Sequence, residues 1–274
     1  MPELEGSEKP AGTVTAELEP LRSDPGRAAI LLDVDGTLAP IAPRPDDAAV
    51  PGETRELLRA LARRYAHVAC VSGRRALDAR RVVGLDELAY SGNHGLELLP
   101  PAASEPRPDP SLDNHDEEAP RFVAALDRAE LDRVGLRIED KGAIVALHWR
   151  GAANEGEAES LASEIAAAAE WQGLVPHRGR KVLEIRPNVP INKGIATAAM
   201  VAAKPVRAAL YAGDDRTDLD AFTALRTLRD DGDLDAAVCV AVEAGEAPPE
   251  IAAAADLIVP GIDGVVELLR ALAA

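Results

Sequence analysis

The sequence predicts an α/β fold, a Rossmann-like parallel sheet with helices on both faces, interrupted by an inserted α+β domain. Three observations predict it. Apolar runs of strand length alternate with amphipathic helical spacing before residue 100 and again after residue 190, the order of repeated βαβ units. Several of those runs end abruptly in small polar or acidic residues, most sharply at Ile30-Leu31-Leu32-Asp33-Val34-Asp35-Gly36-Thr37-Leu38. Strands covered on both faces read as continuous apolar runs, and ligands collect beyond their carboxyl ends. Between the two α/β stretches the grammar changes: prolines and acids gather over residues 100–120, and hairpin-like segments follow.

Taken in order, residues 1–26 are acidic and carry several prolines, with no basic segment leading into an apolar one, so they are expected to be a disordered tail rather than a signal peptide. The strand at 30–32 follows, then a proline-rich loop over 39–53 and a helix over 54–65 spaced by Leu57, Leu58 and Leu61. A strand at 67–71 runs into Ser72-Gly73-Arg74, followed by a helix over 76–83 and a strand at 88–90 that ends in Ser91-Gly92-Asn93-His94-Gly95. The inserted domain, 105–190, reads αββαββ: a helix near 121–131, strands at 135–139 and 143–149, a helix over 155–171, and strands at 174–177 and 181–186. The core, 27–104 and 191–274, resumes with a helix over 193–203, a strand at 206–211, an acidic turn, and helices over 219–228, 249–255 and 264–273 between strands at 237–242 and 257–259.

Composition bounds the function. In 274 residues the formal charge is −17, and no Lys/Arg-dense stripe interrupts it, which argues against nucleic acid as a partner. Aromatic content is only 3%, so small-faced helices packed on a Val/Ile/Leu sheet are expected. Cys70 and Cys239 each sit inside an apolar run, which reads as two buried thiols in a reducing cytoplasm. No apolar run approaches membrane-spanning length, so no membrane partner is expected, and the chain reads as a monomer.

Two carboxylates two residues apart on an extended chain point the same way, so Asp33 and Asp35 can address one site, a reading favoured over the alternative of an ordinary Asp-Gly turn after a strand. Three more strand-end signals follow it: Ser72-Gly73-Arg74, Asn192-Lys193-Gly194 and Gly213-Asp214-Asp215-x-x-Asp218. In this order they resemble the haloacid dehalogenase superfamily of phosphotransferases. The resemblance implies that Asp33 accepts a phosphoryl group, that Asp35 protonates the leaving oxygen and later activates water, and that Thr37, Ser72, Gly73 and Lys193 hold the phosphate. It also implies Mg²⁺ on Asp33, Asp214 and the carbonyl of Asp35, with Asp215 and Asp218 supporting that shell. The chemistry asks for such groups: a carboxylate nucleophile, a proton carrier, and a hard cation on oxygen ligands.

Further forms, Asp33-Val34-Asp35-Gly36-Thr37-Leu38-Ala39-Pro40, Ser91-Gly92-Asn93-His94-Gly95, His148-Trp149-Arg150, Lys181-x-x-Glu184-Ile185-Arg186-Pro187 and Gly213-Asp214-Asp215-x-Thr217-Asp218-x-Asp220-x-Phe222, resemble the trehalose-6-phosphate phosphatase family from about residue 30 onward. That family closes an inserted cap over a sugar phosphate. The resemblance implies hydrolysis of trehalose 6-phosphate, with Asn93, His94, Lys181, Glu184 and Arg186 as sugar or phosphate contacts. His148 and Arg150 read equally as the polar face of a cap strand. Leu219 stands where the family often has an acid, and Trp149 where tyrosine is common. Two other readings stay open: a phosphatase of another sugar phosphate, and a non-catalytic sugar-phosphate-binding regulator.

Overall fold

The computed structural model describes residues 11–42, 47–243 and 248–274, with side chains from residue 16 onward. It divides into two compact units: residues 1–107 with 191–274, and residues 108–190. The expected break at 104/105 lies three residues before the observed one.

In the first unit, strands β1 (Ala28–Leu32), β2 (His67–Val71) and β3 (Ala89–Gly92) alternate with helices α2 (Gly52–Arg64) and α3 (Ala76–Val83). Helix α1 (Ala11–Ser23) precedes them, and β4 (Glu97–Leu99) and β5 (Arg107–Pro108) follow where the chain leaves the unit. The second unit takes α4 (Glu118–Ala124), α5 (Arg128–Val134), β6 (Arg137–Asp140), β7 (Val145–His148), α6 (Glu155–Trp171), β8 (Val175–Gly179) and β9 (Val182–Arg186). The first unit then resumes with α7 (Lys193–Ala202), β10 (Ala208–Gly213), α8 (Asp218–Asp230), β11 (Ala236–Glu243), α9 (Pro249–Ala254), β12 (Leu257–Pro260) and α10 (Gly261–Ala273).

The larger sheet runs β12-β11-β10-β1-β2-β3-β4-β5, parallel from β12 to β3 and antiparallel at β3–β4. Alternation along β1 shows why its run is apolar throughout. Ala28, Ile30 and Leu32 face one core with α1, α2, α3 and α10, while Ala29 and Leu31 face a second core with α7, α8 and α9. Cys70 and Cys239 are free, buried thiols on opposite sides of that sheet. Among the described residues no helix is long and apolar enough to cross a membrane.

The tail expectation needs correction. Residues 11–23 form α1, and Leu18 and Leu21, one helical turn apart, are fully buried against the core that holds α10. Two leucines among prolines and acids make a weak periodic signal, yet they are enough to dock a helix whose partners, β10, β11 and α10, all lie in the last third of the chain. Residues 1–10 of the expected tail, and 43–46 of the expected loop, lie outside the described residues. Leu18→Ala is expected to cost roughly 2–5 kcal/mol, the range for truncating a fully buried leucine. The melting temperature reads this: a free tail would leave it unchanged.

The second unit is a four-stranded antiparallel sheet, β6-β7-β9-β8, with α4, α5 and α6 sharing one apolar core on its inner face. The single helix expected near 121–131 is two, because Asp127 accepts from the Ala129 N–H and starts α5 afresh. Helix α6 covers the expected 155–171, with Asn154 as its cap.

Candidate active site

From β1 the chain builds β2 and β3 to one side, and later β10, β11 and β12 to the other, so the strand order reverses where β1 meets β10. Such a switch point opens a crevice beyond the strand ends. Asp33 is the first residue after β1, Asp214 the first after β10, and the Asp33 N–H donates to the Ala212 carbonyl at 2.9 Å, tying the two ends together. Gly36, at φ +86°, lets the chain turn back; any Cβ there would lie 2.2 Å from Asp214 Oδ2. Thr37, fully buried on that turn, reaches Asp214 Oδ1 with its hydroxyl at 3.3 Å.

Lys193 opens α7 directly after the cap Asn192, whose side chain accepts from the Ile195 N–H at 2.8 Å. A cation at a helix N-terminus opposes the backbone dipole and needs partners. It has them: Nζ donates to Asp33 Oδ1 and to Asp218 Oδ1, both at 2.7 Å, and Lys193 is 2% exposed. Asp218 also accepts from the Tyr211 hydroxyl at 2.7 Å, and its Oδ2 takes the backbone N–H groups of Asp214 and Asp215 at 3.0 Å. Four donors therefore saturate this carboxylate, which holds the loop that presents Asp214. Asp215 instead accepts from the N–H and hydroxyl of Thr217, with Lys193 Nζ 3.9 Å away.

The loop after β2 is stitched to the loop after β3. Ser72 N–H donates to Ser91 O, Asn93 N–H to Arg74 O and His94 N–H to Ser72 O, at 2.7–3.0 Å. Asn93 and His94 sit at positive φ, are buried, and bring the imidazole edge against Gly73. The structure thus sets both beside the candidate phosphate loop. One feature was missed in the sequence: Arg74 holds Asp35 through two parallel bonds, Nε to Oδ2 at 2.6 Å and NH2 to Oδ1 at 2.7 Å. Arginine forks suit carboxylates in this way, and an arginine directly after Ser-Gly was the available signal.

Electrostatics follow from crowding three buried carboxylates. Burial lifts Asp214 to about 7, with Asp218 and Asp215 adding to it and Lys193 and Thr37 opposing. Burial also pushes Asp33 well above the carboxylate range, against the pull of Lys193. Lys193 itself is raised despite burial, because Asp218 and Asp33 favour its charge. Asp215 is the exception: burial would raise it, but Lys193 and the Thr217 bonds bring it down to about 2. Carboxylate oxygens of Asp33, Asp214 and Asp218 lie within 4.8 Å of one another. All-oxygen donors suit a hard divalent cation, and saturation of Asp218 leaves Asp33 and Asp214 as the pair that fits.

The second unit carries its own polar cluster. Glu184 and Arg186 alternate on the face of β9 opposite Leu183 and Ile185, and Arg186 donates to Glu184 Oε2 through Nε at 3.0 Å and NH2 at 2.5 Å. Lys141, which the sequence reading left out, donates to Glu184 Oε1 at 2.8 Å. His148 contacts Glu139 at 2.7 Å on the neighbouring strands. Lys181 is not in this cluster: it occupies the β8–β9 turn at φ +59° and pairs with Glu155 at 2.6 Å. It precedes β9, so strand alternation does not set it on the face of Glu184. Arg150 lies outside the strands, its guanidinium reaching the Arg180 carbonyl at 3.4 Å.

The trehalose-phosphatase family model matches residues 31–251. A trehalose 6-phosphate phosphatase of Zea mays is 33% identical over 232 residues, 78% of this chain and 64% of that protein. A trehalose-phosphate phosphatase of Mycobacterium marinum is 34% identical over 211 residues, 73% of this chain and 52% of that one. The chain therefore spans less than two thirds of these relatives. Among solved structures, a trehalose-6-phosphate phosphatase related protein aligns over 88% of this chain and 95% of its own, with a TM-score of 0.70 and 25% identity. The C-terminal domain of the Candida albicans trehalose-6-phosphate phosphatase aligns over 95% and 96% with a TM-score of 0.78; at 22% identity it speaks for the fold alone.

Proposed function

The chain belongs to the trehalose-phosphatase family, and from that premise we propose that it hydrolyses trehalose 6-phosphate to trehalose and inorganic phosphate through an aspartyl-phosphate on Asp33. The observation that carries this reading is the Lys193 ammonium, held 2.7 Å from Asp33 at the sheet's switch point. It pairs a carboxylate nucleophile with a fixed positive charge, the two groups an in-line phosphoryl acceptor needs.

An Asp33 oxygen attacks phosphorus as the bond to the sugar oxygen breaks, and Asp35 gives that oxygen a proton. Asp35 then takes a proton from water, which attacks the aspartyl-phosphate and releases phosphate. Both Asp35 oxygens accept from Arg74 in this structure, so the guanidinium yields one of them when Asp35 reaches the sugar oxygen. Thr37 and Ser72 hydroxyls, the Gly73 N–H and Lys193 hold the phosphate oxygens. Mg²⁺ on Asp33, Asp214 and the Asp35 carbonyl would neutralise charge on the nucleophile and the transferring group. Asp215 and Asp218 keep the supporting role, Asp218 through its four donors.

Glu184 and Arg186, alternating on one face of β9, hold the sugar with Lys141 from the β6–β7 turn, since such charges can bind hydroxyls by charge-assisted hydrogen bonds. Lys181 is engaged with Glu155 instead. Asn93 and His94 are assigned to shaping the phosphate loop. A cytoplasmic setting is supported by the two buried free thiols; a monomer remains part of the proposal, read by light scattering of the purified protein.

The test is phosphate release from purified sugar phosphates with and without Mg²⁺. Trehalose 6-phosphate is expected to exceed glucose 6-phosphate in kcat/KM by at least about tenfold, the worth of one or two polar sugar contacts. Equal rates on both would leave a general sugar phosphatase, and no release from any would leave a binding protein.

A further inference from the structure

Tyr211 is a fully buried residue of β10 that the proposed mechanism does not use. Its ring packs edge-on against Phe222 with centroids 6.1 Å apart, among Ala221, Leu225 and Met200. These neighbours ask for an aromatic ring and would accept phenylalanine. A buried hydroxyl costs free energy unless it is bonded, so its partner among the described residues explains its presence. That partner is Asp218 Oδ1 at 2.7 Å, the same oxygen that Lys193 Nζ approaches at 2.7 Å. Burial raises Tyr211 well above the ordinary phenol value, so the group stays a protonated donor.

The consequence lies one bond further on. Lys193 divides its ammonium between Asp218 Oδ1 and Asp33 Oδ1, at equal distances. The other Asp218 oxygen is fixed by two backbone N–H groups, so the carboxylate cannot turn to compensate for a lost donor. Without the phenol, Oδ1 keeps Lys193 as its sole donor and attracts it more strongly, at the expense of Asp33. We propose that Tyr211 is a positioning residue for Lys193: by sharing the Asp218 oxygen that Lys193 contacts, its hydroxyl keeps the ammonium bridged to Asp33. The geometric part stands on its own, and only its kinetic consequence rests on the phosphatase reading.

The test uses the full chain with Mg²⁺ and p-nitrophenyl phosphate, a probe that does not depend on sugar contacts. Tyr211→Phe is expected to lower kcat about tenfold with KM within about twofold, because Lys193 acts on the transferring group more than on initial binding. In an Asp218→Asn background the same change is expected to have no further effect, since the proposed path runs through that carboxylate. A crystal structure of Tyr211→Phe is expected to show Lys193 Nζ farther from Asp33 Oδ1 than the present 2.7 Å. Wild-type kcat in the variant, multiplicative losses in the double variant, or an unchanged Lys193–Asp33 distance would each overturn the assignment. If Asp218→Asn does not fold, the single variant and its crystal structure still decide. If the wild-type chain turns over no phosphate monoester, the proposed function fails, and the distance alone decides the role of Tyr211.

Discussion

Asp33→Asn is expected to lower phosphate-monoester turnover by about 10⁴-fold or more while leaving the protein folded. An amide has the shape of the carboxylate, so Lys193 can still donate to Oδ1 in place of the present 2.7 Å bond. What is lost is the nucleophile, because the neutral amide does not accept a phosphoryl group. Stability is expected to hold or to rise. Asp33 is 3% exposed and lies beside Asp214 and Asp218, so removing its charge relieves first the cost of burying it and then their repulsion, which together raise its proton affinity against the pull of Lys193. Acid-quenching the wild-type protein with labelled substrate is expected to trap label on it, and the variant to trap none. Retained turnover in Asp33→Asn, with a single homogeneous preparation, would remove Asp33 as acceptor.

What could be read from the sequence was what local pattern controls. The strands and helices around Asp33, Ser72, Lys193 and Asp214 follow from apolar runs that end in polar residues, and the structure gathers those ends at one switch point. Helix α3 and strand β2 have the expected limits to the residue. What could not be read depends on partners far along the chain. Leu18 and Leu21 acquire meaning only against β10, β11 and α10, roughly 190 to 250 positions later, and no window of local sequence contains both surfaces. Arg74 and Asp35 are 39 residues apart, and their pairing requires the register of β1 on β2. Lys141 and Glu184 are brought together by a strand order, β6-β7-β9, that periodicity does not specify. Lys181 went the other way: it shared a motif with Glu184, but it lies in the turn before β9, at φ +59°, where it pairs with Glu155. Motif resemblance names residues, and side-chain direction decides which of them meet.

Removing divalent metal ions is expected to reduce turnover to background, by about 10³-fold or more, and to change how stability depends on pH. In the metal-free protein Asp214 is lifted to about 7, chiefly by burial and then by Asp218 and Asp215, and Asp33 and Asp218 are raised as well. The same carboxyls in an unfolded chain titrate near 3.8. Between about pH 4 and 7 the folded apoprotein therefore holds protons that the unfolded chain has released, so this contribution to stability is present at low pH and declines as pH rises through that window. A divalent cation takes over the proton's role, neutralising the cluster without needing acid. The rise in melting temperature on adding Mg²⁺ to protein stripped with EDTA should accordingly be small at pH 5 and large at pH 8, with protons released on binding near pH 6–7. Taking the difference between the two forms at each pH cancels carboxylates far from the cluster, such as Asp235 with Arg207, which titrate alike in both. A metal-induced shift of equal size across the range would mean that the ion does not sit on Asp33 and Asp214, and the site would need another reading. The same result bears on the charge of the whole chain: with a net charge of −17, a site that receives an anionic substrate must import its own positive charge, and Lys193 alone balances one carboxylate of three.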